Sequence, residues 1–397
     1  MIDTALIDYA VLHRNDDVAR LLLKGGNIDL PLVAQQIEGW RTARDKWPTL
    51  AECDKVWYPP RLNREQSSSE ATARYKAALF VKPGETMADL TGGMGIDCLF
   101  ATRAGATTDY VERDEKLCEA MRHNLAVLSI DGCAAHCADS MDWIKQSAQI
   151  YDTIYIDPAR RDSNGGRVWV FEDCTPNLIE NLDLLMSHCR QLVVKASPMI
   201  DLATARKQIG QHLCKINIVA IKGECKEVLF VCTRENNGDI LTSCINIDAP
   251  LRAESFVGRA FDYYDSEESA AMATYCTDVE QYLYEPHAAL MKGGAYSLIG
   301  ERYGLAKLSR NTHLYTSQQI VEDFPGRIFE IISPTPLSVK SIKKAISDGR
   351  AHVVCRNYPI GASALQNQLH LKEGGDIFVF ATTIGTKKSG LVCRKIQ

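Results

Sequence analysis

No run of about 18 apolar residues occurs anywhere in this 397-residue chain, which argues against a membrane-spanning helix. No Cys-x-x-Cys pair occurs among its 14 cysteines, so the usual spacing of zinc and dithiol redox sites is missing. The densest group, Cys133-Ala-Ala-His136-Cys137, offers three donors and no local fourth, and no metal is expected there. A basic leader is absent too. The first residues, Met-Ile-Asp-Thr-Ala-Leu-Ile-Asp, are acidic where a signal peptide is basic, so the protein is expected to be cytoplasmic, with reduced, mostly buried cysteines. Disorder is not indicated, because 46% of residues are hydrophobic and 24% charged, ordinary values for a globular protein. The length exceeds one typical core of about 100–200 residues, which implies two to four domains.

Charge is present but unevenly placed. The net charge is −5, yet residues 301–397 hold 14 Lys and Arg against 7 Asp and Glu, which leaves −12 for the rest. Such asymmetry fits a polyanion-binding module beside an acidic catalytic one, and equally a solvated basic surface.

Residues 1–76 read as a helical N-terminal domain. Val18, Leu21 and Leu22 recur at helical spacing, and Val33, Ile37 and Trp40 carry a second helix from Leu30 to Trp47, closed by Pro48. The serines of Gln66-Ser67-Ser68-Ser69-Glu70 suit a capped helix start. From 77 to 250 short apolar runs alternate with helical stretches, the pattern of a parallel sheet with crossover helices. Strands are expected at 86–90, 109–112, 134–138, 153–157, 191–195, 227–234 and 241–247, with helices at 115–128 and 175–189. Glu235-Asn236-Asn237-Gly238-Asp239 predicts that the last two strands form a terminal antiparallel hairpin. Residues 266–276 read as helix or linker. Two small α+β domains are expected at 277–325 and 326–397, the second with strands near 328–332, 351–357 and 376–382 and a basic helix over 337–347.

The chemistry concentrates at the strand tips. Asp89-Leu90-Thr91-Gly92-Gly93-Met94-Gly95 stands where the first strand ends and a helix begins, and its glycines let a ligand approach the backbone. The spacing departs from Gly-x-Gly-x-x-Gly, so a dinucleotide pyrophosphate is not indicated, and an acid at the tip fits a cofactor carrying an ammonium. Glu112 ends the second strand roughly 20 residues after the glycines, where a carboxylate accepts ribose hydroxyls. Asp139 ends the third strand, either as a helix cap or at the rim where an adenine amino group lies. The fourth strand ends in Asp157-Pro158-Ala159-Arg160-Arg161 at the switch-point crevice.

Together these motifs make residues 82–234 resemble class I S-adenosylmethionine-dependent methyltransferases, especially those that modify nucleic acids through an Asp-Pro-Pro or Asn-Pro-Pro turn. Over nearly its full length the chain resembles an uncharacterised bacterial family with ferredoxin-like and THUMP-like C-terminal units. Gln66-Ser67-Ser68-Ser69-Glu70, Tyr284-Glu285-Pro286-His287 and Arg356-Asn357-Tyr358-Pro359 carry that likeness. The resemblance implies a Rossmann-like, mostly parallel sheet with a terminal antiparallel hairpin. It also implies S-adenosylmethionine as cofactor. Asp89, Thr91, Gly92, Gly93 and Gly95 then hold the methionine end, Glu112 with Arg113 the ribose, and Asp139 with Ser140 the adenine. Gln66 and Ser68 cover the cofactor, and Asp157 bounds the transfer site.

No cysteine nucleophile stands at Asp157–Arg160 or Lys195–Pro198, which disfavours methylation of a pyrimidine carbon. Ala159 and Arg160 replace the final proline and aromatic residue that serve exocyclic amines. Trp169 or Phe171 is a candidate stacking face, worth about 1–3 kcal/mol, or a core residue. Pro158, Arg160, Arg161 and Arg167 are candidates for substrate contact. Lys195 at a strand tip is expected to pair with Asp157, since a free ammonium would repel a sulfonium. The leading reading is an RNA methyltransferase whose basic C-terminal units bind structured RNA. A methyltransferase of small molecules or proteins, and a non-catalytic RNA-binding scaffold retaining the pocket, are the rivals.

Overall fold

A computed structural model describes residues 2–23, 28–160, 171–234, 238–247 and 260–396. The chain divides into two compact units. Unit 1 holds residues 1–216, 227–238 and 249–257, and unit 2 holds 217–226, 239–248 and 258–397.

Unit 1 opens with helices Thr4–His13, Val18–Leu22 and Leu30–Lys46. Asp3, Asp17 and Asp29 cap them by accepting first-turn amides, which removes the cost of orphaned donors. Leu6, Ala10, Leu21, Val33 and Ile37 form their shared core. Ser69 caps the next long helix, Glu70–Phe80, by accepting from Thr72 N at 3.2 Å.

The strands of the large sheet follow as β1 (Thr86–Asp89), β2 (Thr107–Glu112), β3 (Cys133–Cys137) and β4 (Tyr151–Ile156). A two-residue pair, β5 (Ala159–Arg160) and β6 (Cys174–Thr175), precedes β7 (Cys189–Ala196), β8 (Leu213–Ile221) and β9 (Glu224–Thr233). Within unit 1 the order is β9-β7-β4-β1-β2-β3, parallel except that β9 runs antiparallel to β7. The chain leaves β1 to one side for β2 and returns on the other with β4. That reversal opens a crevice at the C-terminal strand ends, where open α/β sheets bind ligands.

The sheet does carry a terminal antiparallel hairpin, but other strands than those expected form it. β8 stands between β9 and β10 (Leu241–Ile247) in the strand order, so residues 227–234 and 241–247 do not pair. β10 instead pairs antiparallel with β11 (Phe261–Tyr264). β8 escaped the sequence reading because Lys215 and Asn217 interrupt its apolar run. Lys222 and Gly223, at φ +49° and +78°, make the tight turn that leads from β8 into β9, as two-residue hairpins require.

In unit 2, helix Asp265–Ala270 occupies part of the stretch read as helix or linker. Then come β12 (Tyr282–Pro286), β13 (Ala306–Ser309), β14 (Thr312–Ser317), β15 (Gly326–Pro334), β16 (His352–Cys355), β17 (Ile377–Ile384) and β18 (Lys387–Lys395). They form one sheet in the order β13-β14-β12-β15-β18-β17-β16, with β16 and β17 parallel. Ile342 of helix Val339–Ala345 and Leu365 of helix Ala362–Gln368 pack on Val379 and Ala381. The same packing leaves Lys340, Lys343 and Lys344 exposed.

Candidate active site

The crevice begins with the turn after β1. Gly95 has φ +79° and precedes helix Ile96–Arg103, and a Cβ there would stand 2.5 Å from Met121 Sδ. At Gly92 a Cβ would fall 2.3 Å from the Tyr110 ring. Only glycine satisfies both the left-handed backbone and the close approach. Asp89 is buried, and its Oδ1 accepts from Thr91 N at 3.1 Å. Burial, reinforced by Asp97, pushes its carboxyl well above the usual range. Thr91 Oγ1 accepts from Asp157 N at 2.6 Å, tying the tips of β1 and β4 together. Glu112 accepts from Gly93 N at 2.9 Å with one oxygen and from Arg113 N and Asp114 N with the other. Its carboxylate therefore braces the glycine turn, which Tyr110 also holds by donating to Gly93 O at 2.7 Å.

Beside the turn lies a cluster of charge in which Lys76 and Glu227 are buried and Asp97, Asp157 and Lys195 are partly so. Lys195 Nζ donates to Asp157 Oδ2, the ion pair that the sequence predicts. Lys76, only 4% exposed, lies 2.8 Å from Asp97 Oδ1 and 3.2 Å from Glu227 Oε2. It also donates to Ser68 Oγ at 2.7 Å and Tyr155 OH at 3.3 Å. Ser68 Oγ and Tyr155 OH in turn donate to Asp97 Oδ2 at 2.7 and 3.0 Å. Burial works against charge on Lys195, but Asp157, Glu227 and Asp97 outweigh it and hold the ammonium above its ordinary value. Burial likewise opposes charge on Asp97, yet Lys76 and Lys195 keep its carboxyl below the usual value. For Glu227 burial prevails, and its carboxyl is raised.

The remaining candidates are dispersed. Ser68 is buried in this cluster, while Gln66 and Arg113 are exposed. Asp139 is exposed and caps helix Ser140–Gln146, its Oδ1 accepting from Met141 N and Asp142 N at 2.9 and 3.1 Å. Pro158 is buried, and Arg160 lies on β5. Arg161, Arg167 and Trp169 lie outside the described residues. Phe171 is corrected from stacking candidate to core: it is wholly buried, edge-on to Phe230 at 5.4 Å. Cys133 Sγ sits 3.5 Å from Cys98 Sγ, and His136 Nε2 2.6 Å from Asp109 Oδ1.

The sequence reading missed Lys76, Asp97, Tyr155 and Glu227. A signal existed. Lys76 lies in Ala73-Arg74-Tyr75-Lys76-Ala77-Ala78, Asp97 in Met94-Gly95-Ile96-Asp97-Cys98-Leu99, and Glu227 opens Val228-Leu229-Phe230-Val231. A lone charge in an apolar run is buried only when something pairs with it.

A doubly wound sheet with acids and glycines at its central tips defines the class I methyltransferase fold. Comparison with known proteins agrees. A protein from Porphyromonas gingivalis W83 whose crystal structure is known, and which is provisionally described as a methyltransferase, is 33% identical. The match covers 99% of this chain and 98% of that one, with a TM-score of 0.86. Uncharacterised S-adenosylmethionine-dependent methyltransferases from two Mycobacterium tuberculosis strains, CDC 1551 / Oshkosh and H37Rv, are each 24% identical over 341 residues, 83% of this chain and 87% of theirs. Residues 282–325 match a ferredoxin-like domain family, and residues 326–395 a THUMP domain-like family. The chain belongs to the family of S-adenosylmethionine-dependent methyltransferases that carry a THUMP-like domain at the C-terminus. Among the described residues no helix is long and apolar enough to cross a membrane.

Proposed function

We propose that this methyltransferase acts on RNA. The observation that carries the reading is the THUMP-like segment 326–395, which holds 11 Lys and Arg against 4 Asp and Glu. Lys340, Lys343, Lys344, Arg350, Lys372, Lys387 and Lys388 are exposed there, and none of them forms an ion pair among the described residues. Exposed cations free of carboxylate partners are what phosphate binding draws on.

For the cofactor, the chemistry of the donor set fits. Asp89 keeps one oxygen free of the Thr91 amide to meet a cationic ammonium, and the glycine turn lets the methionine end lie against the backbone. Glu112 retains lone pairs for ribose hydroxyls beside its amide bonds, with Arg113 next to it. Asp139 has one oxygen committed to the helix cap and one left for adenine, with Ser140 adjoining, and the exposed Gln66 is assigned to cover the cofactor. When bound, S-adenosylmethionine supplies an electrophilic methyl group on a sulfonium. Asp157 and Lys195 border the place of transfer, and Pro158, Arg160, Arg161 and Trp169 receive the substrate. Ser68 supports this set from below through Lys76 and Asp97.

The test is RNA affinity of the full chain as a function of salt. This reading expects log affinity to fall steeply and linearly with log salt, by roughly 0.7–0.9 per phosphate neutralised. A methyltransferase of small molecules or proteins shows no such RNA affinity.

A further inference from the structure

Four elements deliver one charged side chain each to this cluster of unit 1: Lys76 from helix Glu70–Phe80 and Glu227 from β9, both buried, and Asp157 after β4 and Lys195 from β7, both partly open to solvent. They form two facing pairs, Lys195 with Asp157 and Lys76 with Glu227. Asp97 joins the second pair, and Glu227 Oε1 is buried without a hydrogen-bond partner. Apolar residues of the same volume commonly pack at least as stably as buried ion pairs. Strongly perturbed, partnered ionisable groups in a crevice mark function.

Each kind of methyl acceptor asks for different neighbours. A pyrimidine ring carbon needs a covalent thiolate, and neither strand tip holds a cysteine. An amine nitrogen brings its own lone pair and becomes cationic as it is methylated, so it wants acceptors and an aromatic wall. A fixed ammonium there raises the barrier, and Ala159 follows Pro158 where amine methylation is served by a second proline. A hydroxyl oxygen needs the reverse: an acceptor for its proton and a cation facing the oxygen as negative charge develops. Lys195 beside Asp157 supplies both at the tip where transfer takes place.

We propose that the methyl acceptor is a hydroxyl oxygen, the 2′-OH of a ribose in RNA, with Asp157 and Lys195 as its catalytic pair and Lys76 and Glu227 as positioning residues. The substrate class rests on the RNA reading above. In the step, the ribose oxygen forms a bond to the methyl carbon as the carbon–sulfur bond breaks. The bonding pair stays on sulfur, giving a neutral thioether. The hydroxyl proton passes to the Asp157 carboxylate and then to water, while Lys195 donates to the reacting oxygen. No oxidant or further co-reactant is needed. Lys195 faces Asp157, Glu227 and Asp97, so removing Glu227 weakens its hold on a proton. Lys76, Ser68 and Tyr155 complete the surroundings of Asp97.

The experiment gives the full-length protein labelled S-adenosylmethionine and RNA transcribed in vitro or extracted from cells, then hydrolyses the RNA in alkali. A 2′-O-methyl group blocks the neighbouring-hydroxyl attack that alkali needs, so label is expected in resistant dinucleotides. Label in mononucleotides overturns the hydroxyl assignment and leaves the RNA reading intact. Label in protein or small molecules but not in RNA overturns both. Two near-isosteric variants test the residues. Lys195→Met is expected to lower transfer by about 100-fold or more, within the range of general acid–base contributions, while S-adenosylmethionine affinity measured by calorimetry changes less than about threefold. Undiminished transfer overturns its catalytic role. Glu227→Gln is expected to lower kcat while leaving KM for RNA unchanged; a lower melting temperature with an unmoved kcat overturns its positioning role.

Discussion

Lysines in the two units live under opposite conditions. In unit 1, Lys76 is buried and Lys195 nearly so, and carboxylates from separate elements face each of them. In unit 2, Lys340, Lys343, Lys344, Lys387 and Lys388 are exposed and have no ion-pair partner among the described residues. The difference is physical before it is functional. A buried ammonium persists only when paired, and pairing fixes its position to within a hydrogen bond. An exposed ammonium keeps its rotamers and its water and attracts any polyanion. One arrangement suits chemistry at a single atom, and the other suits a repeating charge.

That contrast can be broken most forcefully at Lys76. Lys76→Met strands Asp97 and Glu227 in the interior and is expected to cost about 3–5 kcal/mol, read as a lowered denaturant midpoint. Lys343→Met in unit 2 is expected to stay within about 0.5 kcal/mol. Equal effects would erase the distinction.

Gly95→Ala comes next. A left-handed φ of +79° and the Met121 sulfur both oppose a Cβ, so a cost of about 1–3 kcal/mol and loss of calorimetric S-adenosylmethionine binding are expected. Asp139 separates capping from cofactor contact. Asp139→Ala is expected to cost about 1 kcal/mol, whereas Asp139→Asn keeps the cap and its stability. A cofactor affinity lowered in both variants assigns the free oxygen to adenine; affinity preserved in Asn makes Asp139 a cap alone. For the exposed lysines, Lys387→Ala with Lys388→Ala is expected to reduce the salt slope of RNA binding by about 1 for each phosphate that is no longer neutralised, leaving cofactor affinity unchanged.

Acid titration gives the finest test. Asp97 is held below its ordinary 3.8, so its contribution to stability is present above that value and is lost as pH falls through the lower folded value. The melting-temperature gap between wild type and Asp97→Asn is expected to be constant near neutrality and to close below pH 3.8.

The legible part of the site is the part that sits at strand ends. Asp89, Glu112, Asp157 and Lys195 each terminate an apolar run, and the alternation of runs with helices reveals a parallel sheet whose tips converge. The supporting cluster is different in kind. Lys76 and Glu227 are 151 residues apart and meet only through tertiary packing, so local patterning shows that each is anomalous without showing its partner. β8 was hidden because Lys215 and Asn217 broke an apolar run, and the strong Asn-Asn-Gly signal at 236–238 drew the hairpin to the wrong pair. Phe171 shows the limit of reading aromatics by position alone, since only packing against Phe230 separates a core ring from a stacking platform.

The central claim is met most directly by following labelled methyl groups from S-adenosylmethionine into the RNA, protein and small-molecule fractions of a cell lysate, with wild type and Asp157→Ala side by side. The account predicts label in RNA that depends on Asp157. Label confined to protein or small molecules, or no label despite measurable cofactor binding, would contradict it.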